Sequence, residues 1–321
     1  MSRKVLVWFE TMGICLLVLF AGCATEARRE LAQADLALKF AVGDAAKYKV
    51  TQEDIKDFRF EQPSLDKVRL EPRSTTVEIK FLQQIESVDE QGNATAKITI
   101  RGIKYLVMDK NKIDVDFDSK RKADRKKPFA KLIGKSYKIR ISSDGSVKVL
   151  DANKIRNAVR SGPPDRASNL LDDKVIQRRH EILSLPDVDN HVLRQGDTWS
   201  RIKTPPHRLM VQKSFEKVYT LKKVEDREGR RLALVDMNAT ESGVPAEGVS
   251  KMSSGMGIFA NLFDTEETYT GEMVLDLNTG KVAKYNEKLV TKYVAAEPKP
   301  DKGPDVLTIT LTYATSVEMI D

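Results

Sequence analysis

The strongest constraint on the fold is a pair of predicted β-hairpins in the first half of the sequence. Apolar and polar residues alternate over residues 75–85 and again over 94–100, with a Gly-Asn turn between them. A tighter hairpin covers residues 137–150, where Asp144-Gly145 supplies the positive φ angles that a two-residue turn requires. Because alternation at period two places one face of each strand in a core, this region is predicted to be antiparallel sheet.

The same two hairpins recur later in the chain. Val224 and Gly280 occupy positions equivalent to Val88 and Gly145, at offsets of 136 and 135 residues. A Gly-Asp pair, soon followed by an aromatic residue, precedes each copy. A nearly constant offset of this kind indicates an internal repeat, so the sequence predicts a duplicated β unit.

Between the two copies the alternation is lost and helical spacing replaces it, as in Ile155 and Val159. We expect these helices to cover a sheet. Residues 307–313 alternate again and predict a last strand, paired with residues 285–293.

The predicted fold class is mainly β (α+β), with two duplicated curved antiparallel sheets joined by a helical connector. The predicted divisions are a signal peptide at 1–22, a tether at 23–39, an N-terminal β unit at 40–150, a helical connector at 151–184 and a C-terminal β unit at 185–321.

The N-terminal segment predicts export and membrane attachment. A basic start is followed by an apolar run too short to span a bilayer comfortably, and this run ends in Phe20-Ala21-Gly22-Cys23. The segment resembles the signal peptides of bacterial lipoproteins, in which cleavage would fall between Gly22 and Cys23 and the Cys23 thiol would carry a diacylglyceryl group. An uncleaved anchor over residues 5–24 is the alternative, although Glu10 disfavours it inside a membrane.

Cysteine content and charge narrow the class of protein further. The chain has two cysteines, and Cys15 lies in the segment expected to be removed, so we expect no disulfide in the mature protein. The formal net charge is +7, with basic and acidic residues interleaved along most of the chain. This pattern is typical of a solvated surface and does not predict nucleic-acid binding.

The sequence contains no recognisable catalytic or metal-binding motif. The three histidines, His180, His191 and His207, are separated by 11 and 16 residues, which matches no compact metal pattern. The acidic run over residues 114–118 begins like a calcium loop but lacks the glycine and the final acid that such a loop needs, so an acidic strand edge is favoured. We therefore predict no catalytic residues, no metal and no cofactor.

Two segments are candidates for contacts outside the fold. Residues 120–127 hold six basic side chains, which either contact anionic lipid head groups or form a solvated loop. Residues 248–263 combine small and apolar residues and form either the lip of an apolar cavity or a loop that folds back on the core. The head-group candidates are Lys120, Arg121, Lys122, Arg125, Lys126 and Lys127. The cavity-lip candidates are Met252, Met256, Ile258, Phe259, Leu262 and Phe263.

The lipoprotein signal together with the paired hairpins resembles a family of uncharacterised bacterial lipoproteins built on a domain of unknown function. The half-barrels of periplasmic lipoprotein carriers are a more remote structural analogy. These resemblances imply fold and location but transfer no functional residue. We predict a noncatalytic, membrane-anchored lipoprotein of the cell envelope that binds a lipid, another apolar ligand or an envelope protein. The alternative is a structural or assembly protein of the envelope. Because no Asp follows Cys23 as an inner-membrane retention signal, the periplasmic face of an outer membrane is the favoured location if the host has two membranes.

Overall fold

The structure is a computed structural model that describes residues 32–159, 166–182, 184–187, 189, 191–205, 213–244, 262–297 and 303–321. Strands dominate this part of the chain, which confirms the predicted mainly β class. The described residues belong to one compact unit.

The first repeat contains the two hairpins predicted from the sequence. Its strands are β2 (Ala45–Gln62), β3 (Lys67–Val88), β4 (Ala94–Asp109), β6 (Ser136–Ile141) and β7 (Val147–Asp151), with β5 (Lys112–Asp118) as an additional edge strand on β4. Inward-facing residues alternate along them as predicted; Val77, Ile79 and Phe81 of β3 are all buried. A short strand, β1 (Gln33–Asp35), precedes the repeat.

The second repeat has the same order of strands. Its strands are β9 (Thr198–Lys203), β10 (Ser214–Arg227), β11 (Arg230–Ser242), β12 (Asp264–Asp276) and β13 (Lys281–Glu297), preceded by β8 (Val192–Arg194). The last strand, β14 (Asp305–Ile320), pairs with β13 as predicted, with Leu289 opposite Tyr313.

The two repeats form one continuous antiparallel sheet, whereas the sequence analysis predicted two sheets. The strand order is β7-β6-β4-β3-β2-β14-β13-β12-β11-β10-β9, and β14 lies between the repeats and pairs with β2. A second small sheet consists of β1 and β8. The repeat was readable because local turns create it, but the β2–β14 pairing joins residues more than 200 positions apart and leaves no local signal.

The sheet is strongly curved within the second repeat. Lys217 on β10 contacts Glu287 on β13 at 2.6 Å between Nζ and Oε1, although β11 and β12 lie between their strands. Neighbouring strands are about 4.8 Å apart, so a flat sheet would separate these two backbones by about 14 Å. Curvature brings the side chains together, and it makes the face that carries Glu287 concave.

Helices cover part of the concave face, as expected for the connector. Their bounds are α1 (Asn153–Val159), α2 (Arg166–Asn169) and α3 (Asp173–His180). Ile155 and Val159 are buried together with Ile176 on α3, so the apolar stripe read from the sequence faces the sheet. Beyond α3, the Ser184 hydroxyl donates to Met273 Sδ at 3.0 Å, so the chain that follows the connector contacts the second repeat.

Residues 32–40, the last part of the segment predicted as a tether together with Phe40, form a strap across the sheet. The strap contains β1, and its Leu36 is fully buried. The backbone N–H of Leu38 donates to Ser143 O at 2.9 Å in the first repeat, and that of Lys39 donates to Gly280 O at 3.1 Å in the second. Ala34, Leu36, Leu38 and Phe40 stand at alternate positions in the strap, which is the period-two signal of a strand.

Candidate functional site

An apolar cavity lies where the two repeats meet, beneath the strap. The inward-facing side chains of β2, β3, β13 and β14 form one side, and the strap and the end of α3 form the other. Its apolar lining includes Leu38, Phe40, Tyr48, Phe81, Ile182 and Val317. Tyr48 and Phe81 stack with ring centroids 5.7 Å apart, so part of the wall is a rigid aromatic surface.

The cavity is small. Its volume is about 50 Å³, which corresponds to room for roughly four water molecules at 10–15 Å³ each. Asp44 and Lys281 stand at the cavity and pair with each other at 3.3 Å between Oδ2 and Nζ. A ligand group of about four non-hydrogen atoms therefore fills this space.

Two polar side chains from the end of α3, Arg179 and His180, also line the cavity. Arg179 is only 1% exposed, and His180 is buried beside the ring of Phe81 at 4.7 Å between ring centroids. Arg179 Nη1 donates to the Tyr137 hydroxyl at 3.2 Å, and that hydroxyl lies 2.7 Å from His180 Nε2. The tautomer of the His180 ring decides which of the two groups donates in the contact between Tyr137 and His180.

This arrangement keeps His180 neutral. Burial, together with the nearby positive charge of Arg179, lowers the pKa of His180 well below its usual value of 6.5. Burial also raises the pKa of Tyr137, against the opposing effect of the Arg179 charge. Arg179 is thus the one formal charge of this trio at neutral pH.

A second buried polar cluster fills the concave face of the second repeat. Lys217 and Glu287 form an ion pair with side chains 2% and 6% exposed, and the hydroxyls of Tyr269 and Tyr285 donate to the Glu287 carboxylate. Burial would raise the pKa of Glu287, but the charge of Lys217 and these hydrogen bonds outweigh it and hold that pKa below its usual range. The cluster occupies space that the expected carrier-like cavity would need.

Gly271 leaves room for this cluster. It faces Glu287 across the β12–β13 pair, and a Cβ at this position would lie 2.8 Å from Asn286 O and 3.0 Å from Met237 Cε. A larger residue on the concave face here would collide with the backbone of β13. Glycine at position 271 therefore allows β12 and β13 to lie close together beneath the ion pair.

The larger groove on the sheet is polar. It has a volume of about 630 Å³ and lies across the junction between the two repeats. Most of its walls are side chains that alternate along the strands with the buried side chains. Lys49 and Glu318 in this groove pair with each other at 2.6 Å. Because its charged groups include such internal pairs, the groove offers less binding chemistry than the apolar cavity.

The predicted head-group loop divides into paired and free cations. Arg121 pairs with Asp116 and Asp124, and Lys127 pairs with Asp124 at 2.7 Å. The hydrogen bond from Lys127, together with the backbone N–H of Asp118 and with Arg121, lowers the pKa of Asp124 to about 2. Within the described part of the chain, the members of the loop that form no ion pair are Lys120, Lys122, Arg125 and Lys126.

The acidic run before this loop is an edge strand, as predicted. It corresponds to β5, which pairs only with β4. Arg166 pairs with Asp114 at 2.7 Å, and Arg121 pairs with Asp116. Two of the three carboxylates therefore have cationic side chains as partners, and Asp118 accepts from the backbone N–H of Lys120 at 2.9 Å. No group of three or more possible metal-binding residues exists among the residues that the structure describes.

The predicted cavity lip does not line the cavity where it can be located. Leu262 is 67% exposed, and Phe263 packs edge-on against Tyr293 with ring centroids 6.2 Å apart. Neither residue borders the apolar cavity. The other four lip candidates lie outside the described residues, as do Gly22, Cys23 and His207. In the described ranges, no helix has the length and apolar character needed to cross a membrane.

Sequence reasoning missed the buried polar residues. Lys217 and Glu287 stand at inward positions of alternating strands, between Phe215 and Tyr219 and between Tyr285 and Leu289. A charge at such a position was a readable signal of a buried pair. Arg179 gave no such signal, because a basic run at the end of a helix is usually solvated.

No protein-family model matches this chain, and no curated protein is significantly similar to it. Among solved structures, a lipovitellin structure described for its lipid–protein interactions aligns with 88% of this chain at 9% identity and a TM-score of 0.45. This chain spans about a quarter of that protein, 26% of its length. OccK7 (OpdD) of Pseudomonas aeruginosa aligns with 85% of this chain and 99% of its own length at 8% identity and a TM-score of 0.19. At these scores neither likeness establishes a common fold.

Proposed function

We propose that this protein is a noncatalytic, membrane-attached protein of the cell envelope that binds a small apolar ligand in the cavity between its two repeats. The observation that carries the proposal is the cavity itself, which is lined mainly by buried apolar and aromatic side chains and is bordered by the strap. Binding sites for small molecules are typically concave, mostly apolar and equipped with a few polar groups. Arg179 and His180 are those polar groups here.

Attachment through Cys23 supports a role close to the membrane surface. The strap begins at Ala32, nine residues after Cys23. A chain of nine residues reaches at most about 31 Å when fully extended. A lipidated Cys23 would therefore hold the body within that distance of the bilayer, which suits a fixed binding protein better than a diffusing carrier.

The ligand proposal is tested with 1-butanol, a neutral probe of about the right size. Saturation-transfer NMR on the full chain in lipid nanodiscs should detect saturable binding, with empty nanodiscs as the blank. Ala46 lines the cavity, so Ala46→Leu should weaken binding about tenfold or more by occupying the space. Ala123→Leu, in the exposed loop, is the matched control. Absence of saturable binding to the unmodified chain, both by 1-butanol and by its four-carbon carboxylate counterpart butanoate, would refute the ligand proposal.

The attachment proposal needs its own experiment. Expression with a radiolabelled fatty acid should label the unmodified chain, whereas Cys23→Ser should abolish both the labelling and the membrane association. Cys15→Ser should leave both unchanged, because this residue would leave with the signal peptide. Equal membrane association of the Cys23→Ser chain would favour the uncleaved anchor instead.

A structural or assembly role is the second candidate, and one surface favours it. Leu65, Val68 and Leu70, at the tip of the β2–β3 hairpin, are 55%, 59% and 61% exposed. Apolar side chains grouped on a hairpin tip are suited to contact with another protein. Replacing Val68 and Leu70 by Thr should leave butanol binding intact and release co-purifying envelope proteins if this role applies.

A further inference from the structure

Arg179 is a buried cation without an anionic partner. Its side chain is 1% exposed, yet no carboxylate among the described residues pairs with it. Nη1 donates to the Tyr137 hydroxyl and Nη2 donates to Leu170 O at 2.6 Å, while Nε has no hydrogen-bond partner. Both partners are neutral, so the guanidinium is partly hydrogen-bonded but its charge is not balanced.

Such an arrangement is costly unless a ligand completes it. Moving one charge from water into a protein interior is strongly unfavourable, and an unpartnered buried N–H adds a further penalty. The ion pair at Lys217 in the same sheet shows the usual solution, in which a carboxylate of the chain lies against the buried cation. At Arg179 the chain supplies no such group from the described residues, and the adjoining space is the apolar cavity.

We propose that the cavity binds a short-chain monocarboxylate, with Arg179 as the counter-ion of the ligand carboxylate and the apolar wall around its hydrocarbon chain. This inference rests on the proposed function, because it names the class of ligand for the same cavity. A planar guanidinium with free N–H groups matches a carboxylate in charge and geometry. One carboxylate neutralises the one charge of Arg179, since His180 is neutral beside it.

Arg179 is the charged group of the cavity wall that can serve as the counter-ion of the ligand carboxylate. Asp44 and Lys281 pair with each other, so their charges balance. The remaining side chains of the wall are mainly apolar, with Gln83 and Tyr48 as neutral polar groups. The volume of about 50 Å³ holds the carboxylate and the first carbon of a short acid, whose remaining carbons extend along the apolar wall toward the open side of the cavity, and it excludes a bulky dianion such as a nucleotide phosphate.

The test compares three probes of equal chain length: butanoate, 1-butanol and butylammonium. Saturation-transfer NMR titrations use the full chain in nanodiscs at pH 7, with empty nanodiscs as the blank. Butanoate should bind at least tenfold more tightly than 1-butanol, and butylammonium should not bind. Binding of 1-butanol without any preference for butanoate would overturn the inference and leave the proposed function standing. Failure of both probes to bind would overturn the two together.

Substitutions in α3 test whether Arg179 causes the preference for butanoate over 1-butanol. Arg179→Met should remove the preference for butanoate over 1-butanol while 1-butanol still binds. Arg178→Met, at the exposed neighbouring position, should keep the preference unchanged. Arg179→Lys retains the charge and should keep a reduced preference, which tests the inference even if the Met variant fails to fold. An unchanged preference in a folded Arg179→Met chain would contradict the assignment.

Discussion

The ion pair of Lys217 and Glu287 stabilises the second repeat only while both charges are present. Removing one partner of a buried pair leaves the other uncompensated, at a cost of about 3–5 kcal/mol. Lys217→Met should therefore lower the free energy of unfolding by about that amount in urea titrations. In the double variant Lys217→Met/Glu287→Gln, much of the loss should be recovered, because no buried charge remains.

A surface pair provides the control for this prediction. Lys223 and Glu225 contact at 2.6 Å, but the Lys223 side chain is 55% exposed. Exposed ion pairs contribute about 0–1 kcal/mol. Lys223→Met should therefore change the free energy of unfolding by less than 1 kcal/mol. A similar loss for Lys217→Met and Lys223→Met would show that burial of the pair has little effect.

The buried side chain of His180 also makes the free energy of unfolding depend on pH. Its pKa is lowered well below 6.5 in the folded protein, so between these two pKa values the unfolded chain binds more protons. The contribution of His180 is fully present above pH 6.5 and is lost as the pH falls, by up to about 1.4 kcal/mol per pH unit. Urea unfolding of the wild type from pH 7.5 to 5 should show this decline.

The variant His180→Gln should decline less over the same range, because glutamine does not titrate. His191→Gln is the control; His191 is part-exposed and lies 2.8 Å from Asp35 through Nδ1. It should retain the decline that His180 causes. Parallel pH profiles for the wild type and His180→Gln would contradict the assignment.

At the scale of elements, the glycine turns of the two repeats serve as docking points. Gly145, with φ of +80°, lies where a Cβ would be 2.3 Å from Ile182 O, so the β6–β7 turn fits closely beneath the chain that follows α3. The backbone N–H of Ile182 also donates to Gly145 O at 3.1 Å. Gly280, its counterpart in the second repeat, contacts Lys39 of the strap in a similar way.

Gly145→Ala should therefore destabilise the protein more than strain at a positive φ angle explains. Gly92 is the matched control, because its φ is +78° and nothing lies within 4 Å of the position that a Cβ would take. Gly92→Ala should cost about 1–2 kcal/mol from backbone strain. Gly145→Ala should cost about 1–3 kcal/mol more, because the added methyl group overpacks the turn. Thermal unfolding of both variants measures the difference, and equal losses would mean that the contact with Ile182 adjusts freely.

At the scale of the whole molecule, local features were predictable and long-range features were not. The hairpins at Gly92, Gly145 and Gly280 follow from turn residues and alternation, which act over a few positions. The β2–β14 junction, the place where the strap docks and the choice of Glu287 as the partner of Lys217 depend on contacts between distant residues, so a single sequence carries little trace of which residues meet. The cavity belongs to this second group, because its wall consists of residues from both repeats and the strap.

The strap also determines whether the two repeats unfold together. Leu36 is fully buried, and its backbone N–H donates to His191 O at 2.8 Å, while the next residues of the strap hydrogen-bond to the glycine turns of both repeats. Leu36→Ala should lower the free energy of unfolding by about 2–5 kcal/mol through loss of burial. Val42→Ala, at a position 68% exposed, should have little effect. The strap and the β2–β14 pairing both join the repeats. We therefore expect the protein to unfold in a single transition, in which the amides of β6 and β12 lose protection from hydrogen exchange together. Loss of protection in only one repeat would show that the repeats unfold independently, and that the cavity between them opens without global unfolding.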